Sequence, residues 1–136
     1  MQFDKFVGQV QSRARLASKG EALAAIRATL ETLAQRLAGG EASHLASQLP
    51  QEIGVYLRAV SDQDGGAQRF SLDEFFQRVS EREKADLPDA VYHARVVMEV
   101  VGEAVSEGEM ADVRAQLPDD FQPLFEAGSS GRLRTS

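Results

Sequence analysis

Cysteine is absent from the 136 residues, which excludes disulfides, thiolate metal sites and cysteine nucleophiles together. Tryptophan is absent as well, and there are only four prolines; with Ala, Leu, Val, Glu, Gln and Arg prominent, this mixture favours helix. Positive charge is scarce. Fifteen Lys and Arg face 21 Asp and Glu, a net charge of −6, and binding to a phosphate backbone needs clustered cations that release counterions. Nucleic acid is therefore not an expected partner. Long apolar runs are missing too. The start, MQFDKFVGQVQSR, carries Asp4, Lys5 and Gln9 where a signal peptide needs an unbroken apolar stretch, so the reading is a cytoplasmic protein with no membrane span.

What is present is a sequence written twice. GGEASHLASQLPQEIGVYL (Gly39 to Leu57) and EGEMADVRAQLPDDFQPLF (Glu107 to Phe125) align at a constant offset. Extended back to Glu21 and Asp89 without a gap, the alignment pairs Ala22 with Ala90, Arg27 with Arg95, Glu31 with Glu99, Gly40 with Gly108, Glu41 with Glu109, Gln48 with Gln116 and Pro50 with Pro118. One extra residue in the first copy then brings Phe3, Asp4, Phe6, Val7, Val10 and Arg13 onto Leu72, Asp73, Phe75, Phe76, Val79 and Arg82. Duplication of one helical unit accounts for this.

Each unit reads as four helices. The first has one apolar face, Phe3, Phe6, Val7 and Val10. The second is long, with Leu23, Ile26, Leu30, Leu33 and Leu37 at helical spacing until Gly39-Gly40 stops it. A short third helix runs from Glu41 toward Gln48, and Pro50 opens a fourth. The second copy repeats the plan with Gly108 and Pro118. The expected fold is all-α: two pseudo-symmetric repeats of about four helices packed into one domain over residues 1–127, with repeat one at 1–60, a linker at 61–70, repeat two at 71–127 and a disordered tail at 128–136.

SDQDGGAQRFSLDEFF (Ser61 to Phe76) imitates a calcium loop, with Asp62, Asp64 and Asp73 at its first, third and twelfth positions. Ala67 stands where the turn needs glycine, Gly66 offers no side-chain oxygen, and Glu74 falls one residue too far. The stretch reads instead as the inter-repeat linker followed by a Ser71/Glu74 capping box. Glu41-x-x-His44 has di-iron spacing, but its repeat supplies only Glu109-x-x-Asp112 on a short helix, so an exposed polar turn is expected and no metal site. His93 is read as a surface or boundary residue. No G-x-S-x-G, G-x-G-x-x-G, Walker or H-E-x-x-H pattern occurs, leaving no catalytic residues and no cofactor to name.

Two features bear on function. Arg27/Glu31 and Arg95/Glu99 put opposite charges one turn apart on both long helices, either as solvated pairs, as contacts across a pseudo-twofold axis or as a ligand-binding set. The second long helix adds Tyr92, Val96, Val97 and Val100 to the stripe Val91, Ala94, Met98, Val101 and Val105, so it is either central to the fold or covered by another molecule. The favoured reading is a central helix. The function expected is a non-enzymatic protein-interaction or self-association module, with an unknown protein or a homo-oligomer as partner. Its alternative is a ligand-binding protein or enzyme with a pocket between the repeats, lined by Arg27, Glu31, Arg95 and Glu99.

The doubled pattern, most specifically the G-E-x6-Q-L-P element that occurs at Gly40 and again at Gly108, resembles the bacterial domain-of-unknown-function family 2267. The resemblance spans about residues 3 to 126. It implies a small all-helical domain and supplies no activity or site residues.

Overall fold

The computed structural model describes residues 1–64 and 66–126; the tail expected at 128–136 lies outside them. Among the described residues every regular element is helical: α1 (Phe3–Arg13), α2 (Lys19–Arg36), α3 (Gly39–Ser47), α4 (Gln51–Asp64), α5 (Leu72–Glu83), α6 (Leu87–Ala104), α7 (Glu107–Ala115) and a terminal 3₁₀ helix (Asp119–Phe125). Helix starts follow the side-chain chemistry of capping. Ser18, Ser71 and Ser106 each accept, through Oγ, the backbone N–H of a glutamate three residues on, Glu21, Glu74 and Glu109.

The two long helices lie against each other at the centre. Around them the flanking helices are exchanged: α1 packs on both α2 and α6, and α5 on both α6 and α2. Val96, Val97, Val100 and Val101 are fully buried within the chain, so the extra apolar surface of α6 is consumed internally, as the central-helix reading requires. Helix α2 is just as central, buried through Ala22, Ala25, Ala28, Thr29, Thr32 and Ala34 besides its leucines. Its small residues hide that role from a hydrophobicity pattern. Thr32 satisfies its buried hydroxyl by donating to the Ala28 carbonyl at 2.8 Å.

Three local expectations change. Gly39 and Gly40 do not stop α2; they open α3, and neither has a positive φ. The chain leaves α2 at an extended Leu37, whose carbonyl accepts the Ala67 N–H at 2.8 Å, while Gln35 accepts that of Gln68. The linker therefore supplies the partners that a glycine cap would have supplied. Its first residues are helical, since α4 runs through Asp64. Asp62 and Asp64 both lie within α4, so the segment that would wrap a calcium ion is still helical at the third loop position.

The fourth element differs between the copies. Helix α4 lies so close to α3 that a Cβ on Gly54 would sit 2.8 Å from the Ala46 carbonyl. At the matching positions of the second copy stand Gln122 and Arg114, too large for that approach, and Pro123 occupies the place of Val55. Proline inside the segment removes a helical N–H and clashes with the preceding turn. A seven-residue 3₁₀ helix replaces the expected second α-helix.

Candidate functional site

The four charges singled out on the long helices are not gathered into one cleft. Arg27 donates to Glu31 at 2.9 Å, as the solvated-pair reading expects, and Glu31 also faces Arg82 of α5 at 3.4 Å. These residues line a shallow depression with Leu23 and Tyr56 that includes neither Arg95 nor Glu99. Glu99 instead accepts from Arg13 of α1 at 2.9 Å, and the same guanidinium grips Glu103 at 2.8 Å. Burial pushes the Glu99 carboxyl up even so, whereas the Arg13 bond holds that of Glu103 down. Arg95 keeps its Nε buried without a hydrogen-bond partner. Each long-helix glutamate thus reaches the arginine of the other repeat's first helix. His93, expected near the surface, is buried and hydrogen-bonded to Glu83 of α5.

A second group of polar residues converges where α3 meets α7. Glu41 and Glu109 stand in the first turns of the two helices, with His44 and Asp112 one turn further along. One potential donor atom from each of the four lies within 4.8 Å of the others. His44 Nδ1 is 2.6 Å from Glu109 Oε1 and 3.9 Å from Glu41 Oε2. Glu109 is 2% exposed, while His44 and Asp112 open to solvent. The exposed polar turn expected here is therefore half wrong, because its carboxylates face inward between two helices.

Capping explains why they face inward. In a full capping box the glutamate returns to the N–H of the N-cap residue. Here the Ser106 N–H donates to Gln48 Oε1 at 2.9 Å, and the Ala38 N–H, at the start of α3, donates to Gln116 Oε1 at 3.0 Å. Both glutamates are displaced from the task their position would give them. Oε2 of Glu41 and Oε2 of Glu109 are buried with no hydrogen-bond partner, and Glu109 Oε1 has only its contact with His44. Burial is the main reason the Glu109 carboxyl is pushed up to about 7, helped by its hydrogen bond and charge contact with Glu41 and opposed by His44.

Sequence reasoning had both halves of this cluster but discarded it as an incomplete ligand set on short helices. The usable signal was the sequence repeat: Glu41-x-x-His44 and Glu109-x-x-Asp112 stand at matching positions of the alignment, and together they make one set of four. No helix among the described residues is long and apolar enough to cross a membrane. No curated protein matches the chain. Over residues 3–124 it matches the family described as Uncharacterized conserved protein (DUF2267), and it belongs to that family.

Proposed function

We propose that this member of the DUF2267 family is a non-enzymatic helical module of two pseudo-symmetric units that binds a protein partner or a second copy of itself. Matching contacts at matching positions support the two-unit reading: Ala38 to Gln116 and Ser106 to Gln48, then Arg13 to Glu99 and Arg82 to Glu31. The observation that carries the binding role is the place where the units differ. In the first, α4 covers α2 and α3. In the second, the short 3₁₀ helix leaves an open depression lined by Arg114, Leu117, Phe121 and Phe125 together with the acidic Asp119 and Glu126. Leu117, Phe121 and Phe125 beside a rim of mixed charge, Arg114 with Asp119 and Glu126, suit an amphipathic segment of a partner. A net charge of −6 favours protein over nucleic acid as that partner. The rival pocket reading would use the depression of Arg27, Glu31, Tyr56 and Arg82, but its charged walls already pair with one another, which weakens it.

The test is sedimentation velocity of the chain, combined with affinity capture from its native cell extract, for the wild type and for Arg114→Glu. Arg114 is exposed, so the variant should fold normally. Association or partner retention that falls at least about tenfold in Arg114→Glu, the change expected when the charge of a rim contact is reversed, supports the reading. A monomer that retains no partner, or one whose associations ignore the substitution, sinks it.

A further inference from the structure

We propose that Glu41, His44, Glu109 and Asp112 bind a divalent transition-metal ion of the zinc class at the junction of α3 and α7. The partner depression plays no part in this site, and the two proposals stand or fall separately. The first observation is the convergence of one imidazole and three carboxylates, contributed by both repeats, with donor atoms within 4.8 Å of one another. An ion bound at about 2.0–2.2 Å from each donor holds its ligands roughly 3.4 Å apart in a tetrahedral arrangement, so small side-chain rotations close the set. The second observation is independent of the clustering. Glu109 is 2% exposed; its Oε2 has no hydrogen-bond partner, and its Oε1 has only the imidazole of His44, itself one of the proposed ligands, at 2.6 Å. A buried carboxylate oxygen without a partner is costly, and native structures rarely leave one unless it has an ion, a proton or a role. Capping supplies no such role, because Gln48 has taken the N–H that Glu109 would otherwise accept.

The donor set selects the class of ion. An imidazole with carboxylates suits Zn²⁺, Co²⁺ or Mn²⁺, whereas Ca²⁺ and Mg²⁺ require oxygen-only shells of six or more. Asymmetry of burial shapes the site. Glu109 forms the closed floor, while the side chain of His44 is 60% exposed and Asp112 lies on the same open side. An ion there would be anchored from within and would keep a water-accessible coordination position. Because each repeat contributes two ligands, occupancy would also tie the two units together.

The experiment titrates the chelator-treated full chain with Co²⁺ and follows ligand-field absorption, then repeats the titration with Zn²⁺ by calorimetry, with Mg²⁺ present in excess throughout. His44→Ala and Asp112→Asn are the variants, since both positions are solvent-exposed and their circular dichroism should match the wild type. The expected result is one ion per chain, a cobalt spectrum of low-symmetry four- or five-coordinate type, and affinity at least about tenfold weaker in each variant. Absence of saturable binding overturns the proposal. Binding of equal strength in the wild type and both variants overturns it as well, because the ion would then sit elsewhere on an acidic surface.

Discussion

Glu109 shows how much a single side chain can depend on its neighbours. As the third residue of a helix after a serine, it looks like half of a capping box; in the fold it is a buried acid opposite another acid. Its carboxyl is raised from 4.5 to about 7, so the folded state holds its proton more tightly than the unfolded chain. The stabilising contribution is then full below about pH 4.5 and is lost as pH rises through about 7. In a chelating buffer the wild type should lose stability between pH 5 and pH 8, by an amount on the order of 2–3 kcal/mol. Glu109→Gln, which stays neutral, should lose less over the same interval and should exceed the wild type at pH 8. Urea unfolding of both proteins at the two pH values checks this, and parallel losses would mean that Glu109 is not the group responsible. The identity of this residue was plain in the sequence. Its burial was not, because Gln48 lies in the other repeat.

At the scale of the element, stop signals were the least legible part. Gly39-Gly40 suggested a helix end, yet the glycine that the fold requires is Gly66 in the linker, with φ +69° and a virtual Cβ only 2.1 Å from the Leu37 carbonyl. Gly8, in the middle of α1, has nothing within 4 Å of its virtual Cβ. The two should respond to alanine with opposite sign. Gly66→Ala should destabilise by roughly 2 kcal/mol or more, from left-handed strain and backbone collision, and Gly8→Ala should stabilise by about 0.5–1 kcal/mol through helix propensity. Thermal melts of the two variants suffice, and a neutral Gly66→Ala would show that the linker is not held against α2. Pro123 was a readable warning that the last element would not repeat α4. The other cause, the Gly54 contact with Ala46, became visible only once α3 and α4 were packed.

At the scale of the whole molecule, helices are exchanged between the two proposed repeats, and the described residues should therefore unfold as one cooperative unit. Helix α1 lies on α6 and α5 on α2, so neither copy can bury its long helix alone. Val97, fully buried on α6, tests this. Val97→Asp should strand an unpaired charge in the core and cost several kcal/mol, and its effect should reach the first repeat. Tyr56 and Tyr92 lie in different repeats. Tyr fluorescence of Val97→Asp combined in turn with Tyr56→Phe and Tyr92→Phe should therefore give one coincident transition, shifted to lower denaturant. A first repeat that unfolds unchanged, or a Val97→Asp chain that stays fully stable, would contradict an exchanged core.

What the sequence determined by itself was helicity, the number and order of the helices up to the last, and the apolar faces of α1, α2, α5 and α6. These rest on composition and on 3.6-residue periodicity, which are local properties. The Ser71 cap was equally readable, since a capping interaction spans only three residues. Tertiary structure alone decided which glutamate answers which arginine, that His93 is buried, that the linker closes α2, and that Glu41, His44, Glu109 and Asp112 share one space. Each of these depends on two segments distant in the chain, and nothing in the periodicity of either segment encodes how the other is oriented against it.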